Sequence, residues 1–349
     1  MGGRRVALLE VDGLTVHFPV RKGLLRQVAG LIHAVDDVTF AVDAAEVVGL
    51  VGESGCGKST LARTIVGLER PTAGKIRFAG QTVADQTRRQ SLAYRRRVQM
   101  VFQDPVDSLN PRKSIFRTLR RPLAIHHIVP PSEYEREAAR LLETVGLTPA
   151  ARLLQRYPHQ FSGGQRQRVG IARALAVRPD LLIADEPVSA LDISIRAQIL
   201  KLLKQLQAEL SLAYLFITHD LGVVRSLAER VLVMYLGQIV EEAETDDLFD
   251  HPRHPYTIAL QCSSPEPDPL RARRLDKAVL VGDLPSPTNP PHGCRFRTRC
   301  PIAQAICETD PPWLPISPGH FSRCHFASEL DPGAVQAALR NQPVGVQTA

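Results

Sequence analysis

Residues 52–59 form a glycine-rich segment that could hold a nucleoside triphosphate. They run Gly52-Glu53-Ser54-Gly55-Cys56-Gly57-Lys58-Ser59, with Thr60 next. Glycines at this spacing let backbone N–H groups point at phosphate oxygens, at the positive end of the helix that follows. Lys58 can then reach the terminal phosphates, and the Ser59 hydroxyl can bind Mg²⁺. The segment follows an apolar run and precedes a helical pattern, which favours a phosphate-binding P-loop over a chance glycine-rich turn.

Two adjacent acidic residues, Asp185 and Glu186, follow the apolar residues 181–184. A buried strand ending here would place Asp185 beside a Mg²⁺ ion. Glu186 could then orient or deprotonate a water that attacks the terminal phosphate. An acidic pair at the end of a strand can also simply cap the next turn. Because the pair lies downstream of a P-loop, we favour the catalytic interpretation.

Short apolar runs alternate with segments of helical periodicity, and these elements must position the residues above. The candidate strands are residues 47–52, 98–102, 181–184, 214–217 and 231–235. Helical spacing is clearest at Ala138, Leu141, Leu142 and Val145, and again over residues 195–206. The alternation predicts a largely parallel sheet covered on both faces, with a helical insert at about residues 104–176.

Composition narrows the class of protein. The chain has 349 residues, 44% of them hydrophobic, so about two to three structural units with a substantial core are expected. The net charge of +7 favours an anionic partner. The basic clusters lack the interleaved aromatic residues of nucleic-acid platforms, so nucleic acid is not expected. No apolar stretch of about 18 residues and no signal-like segment is present, which predicts a cytosolic chain that does not span a membrane.

A further motif between the P-loop and the acidic pair reads Phe161-Ser162-Gly163-Gly164-Gln165. With it, the chain resembles the nucleotide-binding subunits of ABC transporters over residues 6–245. The resemblance implies that residues 162–165 are the signature motif, which grips the γ-phosphate of ATP bound to the opposite subunit. It implies that Gln103 senses Mg²⁺ and the γ-phosphate, that Asp192 lies in the D-loop, and that His219 is the switch histidine.

The resemblance also implies a fold class and a mode of action. The expected fold is an α/β P-loop NTPase core of the RecA-like type with an antiparallel β subdomain, a helical signature subdomain and a small cysteine-rich C-terminal extension over residues 246–349. Two such subunits would form a head-to-tail dimer. ATP held by one P-loop would then be closed over by the partner's signature motif and hydrolysed.

Three stretches indicate a branch of this family. Residues 99–112, 157–160 and 185–192 resemble the oligopeptide/dipeptide importer ATPases of bacteria, as do residues 254–257 and 282–291 in the tail. The resemblance implies a second, similar but distinct ATPase subunit, two transmembrane permeases and an extracytoplasmic peptide-binding protein as partners. It places the chain at the cytoplasmic face of the bacterial inner membrane. Nickel or another small solute remains an alternative cargo, because this branch includes such importers.

Four of the six cysteines lie close together near the end of the chain, at Cys294, Cys300, Cys307 and Cys324. Four thiolates can hold a [4Fe–4S] cluster or a tetrahedral Zn²⁺ ion. Paired Cys-x-x-Cys spacings, which are typical of zinc ribbons, are absent. Relatives with such a tail are associated with an iron–sulfur cluster, so the resemblance favours that cluster over zinc, with reduced thiols or disulfides as a further alternative.

A soluble ABC ATPase of DNA repair or translation is the main alternative from another functional class. Repair ATPases usually carry a long coiled coil between the motifs, and translation factors usually fuse two cassettes. This chain has one cassette and no long insertion between the P-loop and the signature motif, which favours the transporter interpretation.

Overall fold

The strand that leads into the P-loop lies inside the larger of two sheets. The computed structural model of the chain describes residues 7–22, 27–83, 88–103, 109–263 and 283–341. The strands of this described part are β1 (Ala7–Lys22), β2 (Gln27–Asp43), β3 (Val47–Val51), β4 (Ala73–Phe78), β5 (Gln81–Thr82), β6 (Val98–Val101), β7 (Leu181–Asp185), β8 (Ala213–Thr218), β9 (Arg230–Tyr235), β10 (Gln238–Glu244), β11 (Leu314–Ser317) and β12 (His320–Ser322). The smaller sheet has the order β2-β1-β4-β5, and the larger has the order β11-β12-β10-β9-β3-β8-β7-β6.

The larger sheet is parallel at its centre and antiparallel at one side. Strands β9, β3, β8, β7 and β6 run parallel to one another. Every residue of β3, β7 and β8 is buried, as expected for strands covered on both faces. The predicted parallel sheet is confirmed here. Strands β10, β12 and β11 extend it in antiparallel fashion, so the whole sheet is mixed.

Helices pack against the larger sheet, and several of them share one buried hydrophobic cluster with β7 and β8. They are α1 (Lys58–Ile65), α2 (Arg88–Arg97), α3 (Ile115–Ile125), α4 (Tyr134–Thr144), α5 (Ala150–Leu154), α6 (Gly163–Leu175), α7 (Ile193–Leu210), α8 (Leu221–Leu227), α9 (Thr245–Asp250), α10 (Pro255–Ser263) and α11 (Pro332–Arg340). Helices α3 to α6 fall within the segment predicted to be helical, of which residues 104–108 lie outside the described part. The predicted apolar face of α4 is buried at Ala138, Leu141 and Leu142.

Helix α7 follows the acidic pair and packs its apolar face against the sheet. Ile199, Leu203 and Leu206 on this helix are buried in one cluster with Leu182 of β7 and Tyr214 of β8. This packing fixes the segment that leads from β7 into α7. It therefore fixes where the carboxylates at the end of β7 lie.

The C-terminal residues are joined to the same sheet through β12. Glu241 of β10 is fully buried, and its Oε1 lies 2.9 Å from Nε2 of His320 on β12. The other ring nitrogen of His320 lies 2.7 Å from Oδ2 of Asp247. Burial opposes the charged imidazole, but the two carboxylates outweigh it and raise the pKa of His320. A buried ionic network thus ties the C-terminal region to the nucleotide-binding part of the fold.

Within the described residues, no helix combines the length and the apolar character needed to cross a lipid bilayer.

Candidate nucleotide site

The P-loop connects the fully buried strand β3 to helix α1, as the sequence predicts. Gly57 occupies the N-cap of α1 with a φ of 109°, in the left-handed region that favours glycine. A Cβ atom added to Gly57 would lie 2.0 Å from the carbonyl oxygen of Ala34. Only glycine fits here, because both the backbone conformation and the close approach of β2 exclude a side chain.

Lys58 is buried at the base of the loop with its amine turned back toward the loop. Its Nζ donates hydrogen bonds to the carbonyl oxygens of Gly52 at 2.7 Å and Glu53 at 2.8 Å. The Cys56 sulfur lies 3.6 Å from the same nitrogen. Burial raises the pKa of the Cys56 thiol, so Cys56 is a neutral packing residue of the loop. The amine of Lys58 is therefore held where phosphate oxygens could replace the carbonyl groups.

The predicted Mg²⁺ ligands come together across the sheet. The Ser59 hydroxyl donates to Oδ1 of Asp185 at 3.1 Å, which joins the first turn of α1 to the end of β7. Asp185 is only 3% exposed, and burial, with the neighbouring charge of Glu186, raises its pKa despite the hydrogen bond from Ser59. Two oxygen ligands with one buried carboxylate fit Mg²⁺, which prefers oxygen and would stabilise the ionised Asp185.

Glu186 lies between the two other predicted catalytic residues. Nε2 of Gln103 donates to Oε2 of Glu186 at 3.1 Å, and Nδ1 of His219 lies 3.1 Å from Oε1. The backbone of Glu186 has a φ of 45°, and its N–H donates to the carbonyl of Ile217 at 2.9 Å. A non-glycine residue in this left-handed conformation is strained by about 1 kcal/mol, which is common at functional sites. The carboxylate is thus held on both oxygens at the edge of the P-loop cleft.

The signature residues do not join this group within the described part of the chain. Ser162 caps helix α6: its Oγ accepts from the Gln165 N–H at 3.3 Å, and its own N–H donates to Oε1 of Gln165 at 3.0 Å. Ser162, Gly163 and Gln165 are exposed, whereas Gly164 is buried. The N-terminus of α6, with its partial positive charge, therefore faces outward.

Gly164 and Asp192 show how the signature motif is held beside the D-loop. A Cβ atom at Gly164 would lie 2.4 Å from Cγ2 of Ile195 on α7, so this close packing requires glycine. Asp192 occupies the N-cap position of α7 and is exposed, but its side chain makes no capping hydrogen bond. The signature motif and the D-loop residue Asp192, which are predicted to act on the partner's ATP, thus lie on one exposed edge.

Two residues of the C-terminal region also contact the P-loop: Arg299, which the sequence did not single out, and Tyr256, which lies in the tail segment 254–257. Arg299 donates from Nη1 to Oε2 of Glu53 at 2.7 Å and from Nη2 to Oε1 at 3.1 Å. The Glu53 N–H donates to the Tyr256 hydroxyl at 2.8 Å. Arg299 also lines an open cleft of about 490 Å³ together with Gly52, Ser54, Glu186, His219, Leu260 and Ser263. The only sequence signal for Arg299 was its position next to Cys300.

The four clustered cysteines lie in the C-terminal region as free thiols. Sγ of Cys324 accepts the Phe326 N–H at 3.4 Å, and the sulfurs of Cys294 and Cys300 accept backbone N–H groups of Phe296 and Ile302. Burial raises the pKa of Cys300 and of Cys324 to about 12. Backbone N–H groups directed at buried sulfurs are suited to thiolate ligands.

Another group of metal-ligating residue types lies on β1 and β2. The ligand atoms of His17, His33 and Asp36 all lie within 4.8 Å of one another, and among the described residues no such group includes the clustered cysteines. Asp36 already pairs with Arg295, whose guanidinium supplies the positive charge. This group is therefore a satisfied ionic network between the β1–β2 hairpin and the C-terminal region.

Together the P-loop fold, the carboxylates at the end of β7 and the outward-facing signature helix define an ATPase of the ABC class. The sequence matches the family described as ABC transporter over residues 35–189, and the family described as oligopeptide/dipeptide transporter, C-terminal region, over residues 240–307. The oligopeptide transport ATP-binding protein AppF of Bacillus subtilis (strain 168) is 48% identical over 323 residues, which cover 92% of this chain and 98% of AppF. The chain belongs to the ABC transporter ATP-binding proteins.

Solved structures agree with this assignment. The dimeric ATP-binding cassette MJ0796, in a post-hydrolysis state bound to ADP and Pi, aligns with a TM-score of 0.60 and 30% identity, covering 68% of this chain and 98% of that one. The cassette cbiO1 from Clostridium perfringens, part of the ABC transporter complex cbiONQ, aligns with a TM-score of 0.59 and 27% identity, covering 73% of this chain and 95% of that one. The chain is accordingly an ABC-type ATPase.

Proposed function

We propose that this chain is the ATP-hydrolysing, energy-coupling subunit of a bacterial importer for oligopeptides or dipeptides. The observation that carries the proposal is the position of Glu186, held between Gln103 and His219 beside a complete P-loop. The similarity to AppF over nearly the full length of both chains supports the peptide cargo. A binding module without turnover would have no use for this strained and doubly held carboxylate.

The site residues divide the work of hydrolysis. The P-loop backbone and Lys58 hold the phosphates of ATP, and Glu186 orients the attacking water and accepts its proton. His219 fixes one oxygen of that carboxylate, and Gln103 fixes the other. Ser59 and Asp185, with Gln103, would hold Mg²⁺, which when bound neutralises negative charge that develops on the phosphates.

The signature motif acts on a second subunit. Because Ser162 and Gly163 face outward, they are available to an ATP molecule on a partner's P-loop. Gln165 keeps Ser162 oriented through the reciprocal cap, and Asp192 lies on the same edge. The chain therefore works as one half of a head-to-tail dimer, whose other half is a second, distinct ABC ATPase chain.

The remaining partners follow from coupling ATP hydrolysis to import. Two transmembrane permeases would dock near Gln103, and an extracytoplasmic peptide-binding protein would deliver the cargo. The chain would lie at the cytoplasmic face of the membrane as a peripheral subunit. Residues 6–245 would form the nucleotide-binding domain, with its helical part at about 104–176, and residues 246–349 would form the C-terminal extension.

Affinity capture of the tagged chain from detergent-solubilised native membranes tests this proposal. Two polytopic permeases and a second ATPase should be recovered, and cells lacking the chain should lose uptake of labelled peptides. Wild-type chain should restore uptake, and Lys58→Ala should not. Recovery of only soluble proteins or nucleic acid would favour a repair or translation ATPase. If cells lacking the chain kept peptide uptake but lost nickel uptake, the cargo would be nickel and not peptides.

We further propose that Cys294, Cys300, Cys307 and Cys324 hold a [4Fe–4S] cluster. Four cysteine thiolates are the ligand set of such a cluster. Besides burial, Cys294, Cys324 and Cys307 each raise the pKa of Cys300 electrostatically, so the four thiols lie near one another. The N–H groups directed at three of the four sulfurs support ligation of this cluster or of the alternative, a Zn²⁺ ion.

Metal analysis of the chain purified without oxygen distinguishes these occupants. We expect about four irons and four sulfides per chain, with a broad charge-transfer absorption. Cys300→Ser should lose most of the iron, whereas Cys262→Ser should keep it, because Cys262 is packed apart in an apolar cluster. One zinc per chain would identify the alternative ion. Absence of metal from the wild-type chain would contradict both.

A further inference from the structure

Arg299 is a side chain through which the C-terminal extension contacts the P-loop. Arg299 is followed directly by Cys300, and its two hydrogen bonds to Glu53 join positions 246 residues apart in sequence. Only 6% of the Arg299 side chain and 25% of the Glu53 side chain are exposed. A bidentate guanidinium–carboxylate pair fixes orientation as well as distance.

A second contact holds the same P-loop residue by its backbone. The hydroxyl of Tyr256 on α10 accepts the N–H of Glu53. The Tyr256 ring lies 5.4 Å from that of Phe296, three residues before Arg299, and 4.6 Å from that of Tyr235 on β9. The start of the P-loop is therefore held by packed aromatic rings and an ion pair, all anchored in or against the extension.

The charge of Glu53 explains why this arrangement bears on nucleotide binding. Glu53 follows Gly52 in the P-loop and lines the same cleft as Glu186 and His219, where the phosphates of ATP would bind. An unpaired carboxylate there would repel the phosphates across a cleft partly shielded from water. Arg299 pairs with that carboxylate through both of its oxygens and cancels its charge.

We infer that Arg299 and Tyr256 are positioning residues of the ATP site, through which the C-terminal extension sets the charge and shape of the P-loop. The inference rests on the proposed ATP binding by residues 52–60. The extension would then contribute to nucleotide affinity, in addition to the proposed binding of a metal cluster by its cysteines. Cys300, one of the four clustered cysteines, is the residue that follows Arg299 in the chain.

The test is the affinity of the full chain for a fluorescent ATP analogue with Mg²⁺. Arg299→Gln should weaken binding about tenfold, which corresponds to about 1.4 kcal/mol. Glu53→Gln/Arg299→Gln should recover affinity to within about threefold of the wild type, because the repelling charge is gone. Arg299→Lys should lie between the wild type and Arg299→Gln, because lysine keeps the charge but loses the bidentate geometry. In the assembled transporter, Arg299→Gln should raise KM for ATP more than it lowers kcat.

Arg297→Gln is the matched control, since Arg297 lies in the same loop and donates to the His292 carbonyl. It should bind the analogue like the wild type. Unchanged affinity of Arg299→Gln would overturn the inference. Equal weakening in the single and double variants would also overturn it, because that result indicates general damage to the extension. Nucleotide affinity is measured without transport, so failure of peptide uptake would not affect this outcome.

Discussion

Replacing Glu186 by glutamine is expected to lower ATP hydrolysis by the assembled transporter at least about 100-fold, with ATP binding retained, because a site that does not hydrolyse its ATP keeps the whole dimer closed. A positioned general base contributes about 100-fold to 10,000-fold to such reactions. Glutamine keeps the length of the side chain, and its amide can still contact Gln103 and His219. It cannot accept the proton of the attacking water. The lost function is therefore the proton transfer and not the shape of the site.

Phosphate release by the purified complex, together with nucleotide affinity of the variant chain, measures both parts of this expectation. Glu143→Gln on the exposed side of α4 is a suitable control, because it makes the same chemical change at a residue outside the cleft that Glu186 lines. It should hydrolyse ATP at the wild-type rate. If Glu186→Gln kept more than about a tenth of the activity, Glu186 would not be the base, and His219 would be the next residue to test.

The sequence signals for the proposed ATP site are local. An apolar run followed by a glycine-rich turn and a helix identifies the P-loop within a dozen or so residues. Asp185 and Glu186 end an apolar strand in the same way, and parallel strands bring their carboxyl ends to one edge. That rule places Ser59 and Asp185 at the same edge, and the structure joins them by a hydrogen bond although β8 lies between β3 and β7. The roles of Gln103 and His219 came from the family resemblance, whereas their hydrogen-bond contacts with Glu186 are seen only in the structure.

The C-terminal region was harder to predict because its contacts join residues far apart in the chain. Strand β12 has three residues, too few for a periodic pattern, and its pairing with β10 depends on the buried His320 and Glu241. The pair of Arg299 and Glu53 has no local signature in either segment. An arginine beside a cysteine and a glutamate within a P-loop are individually ordinary, and only the folded chain shows that they meet.

The signature motif allows a second test with a large expected effect, on the ATP bound by the partner subunit. Gly163→Asp should lower hydrolysis by the assembled dimer about 100-fold and leave ATP binding by the isolated chain unchanged. The aspartate would place a negative charge where the partner's γ-phosphate must dock, and like charges forced together in a closed site are strongly destabilising.

The local structure indicates that Gly163→Asp will fold. A Cβ atom at Gly163 would meet its nearest neighbour, Cδ2 of Leu191, at 3.4 Å, an ordinary contact. Gly163 is the first residue of α6, where an acidic side chain stabilises the helix dipole. The unfolding temperature of Gly163→Asp should therefore equal that of the wild type or lie slightly above it. Gly163→Ala should keep most of the ATPase activity, because it adds no charge.

The two substitutions act on different ATP molecules, which makes their comparison informative. Glu186→Gln prevents hydrolysis of the ATP held by this chain, whereas Gly163→Asp prevents hydrolysis of the ATP held by its partner. A Gly163→Asp chain combined with a wild-type partner subunit should not form a closed dimer around ATP. A Glu186→Gln chain should instead remain in a closed, ATP-bound dimer, which sedimentation detects as the larger species. If Gly163→Asp weakened nucleotide binding by the isolated chain, or if both variants gave the same oligomeric state with ATP, the outward-facing signature helix would not act on a partner's nucleotide.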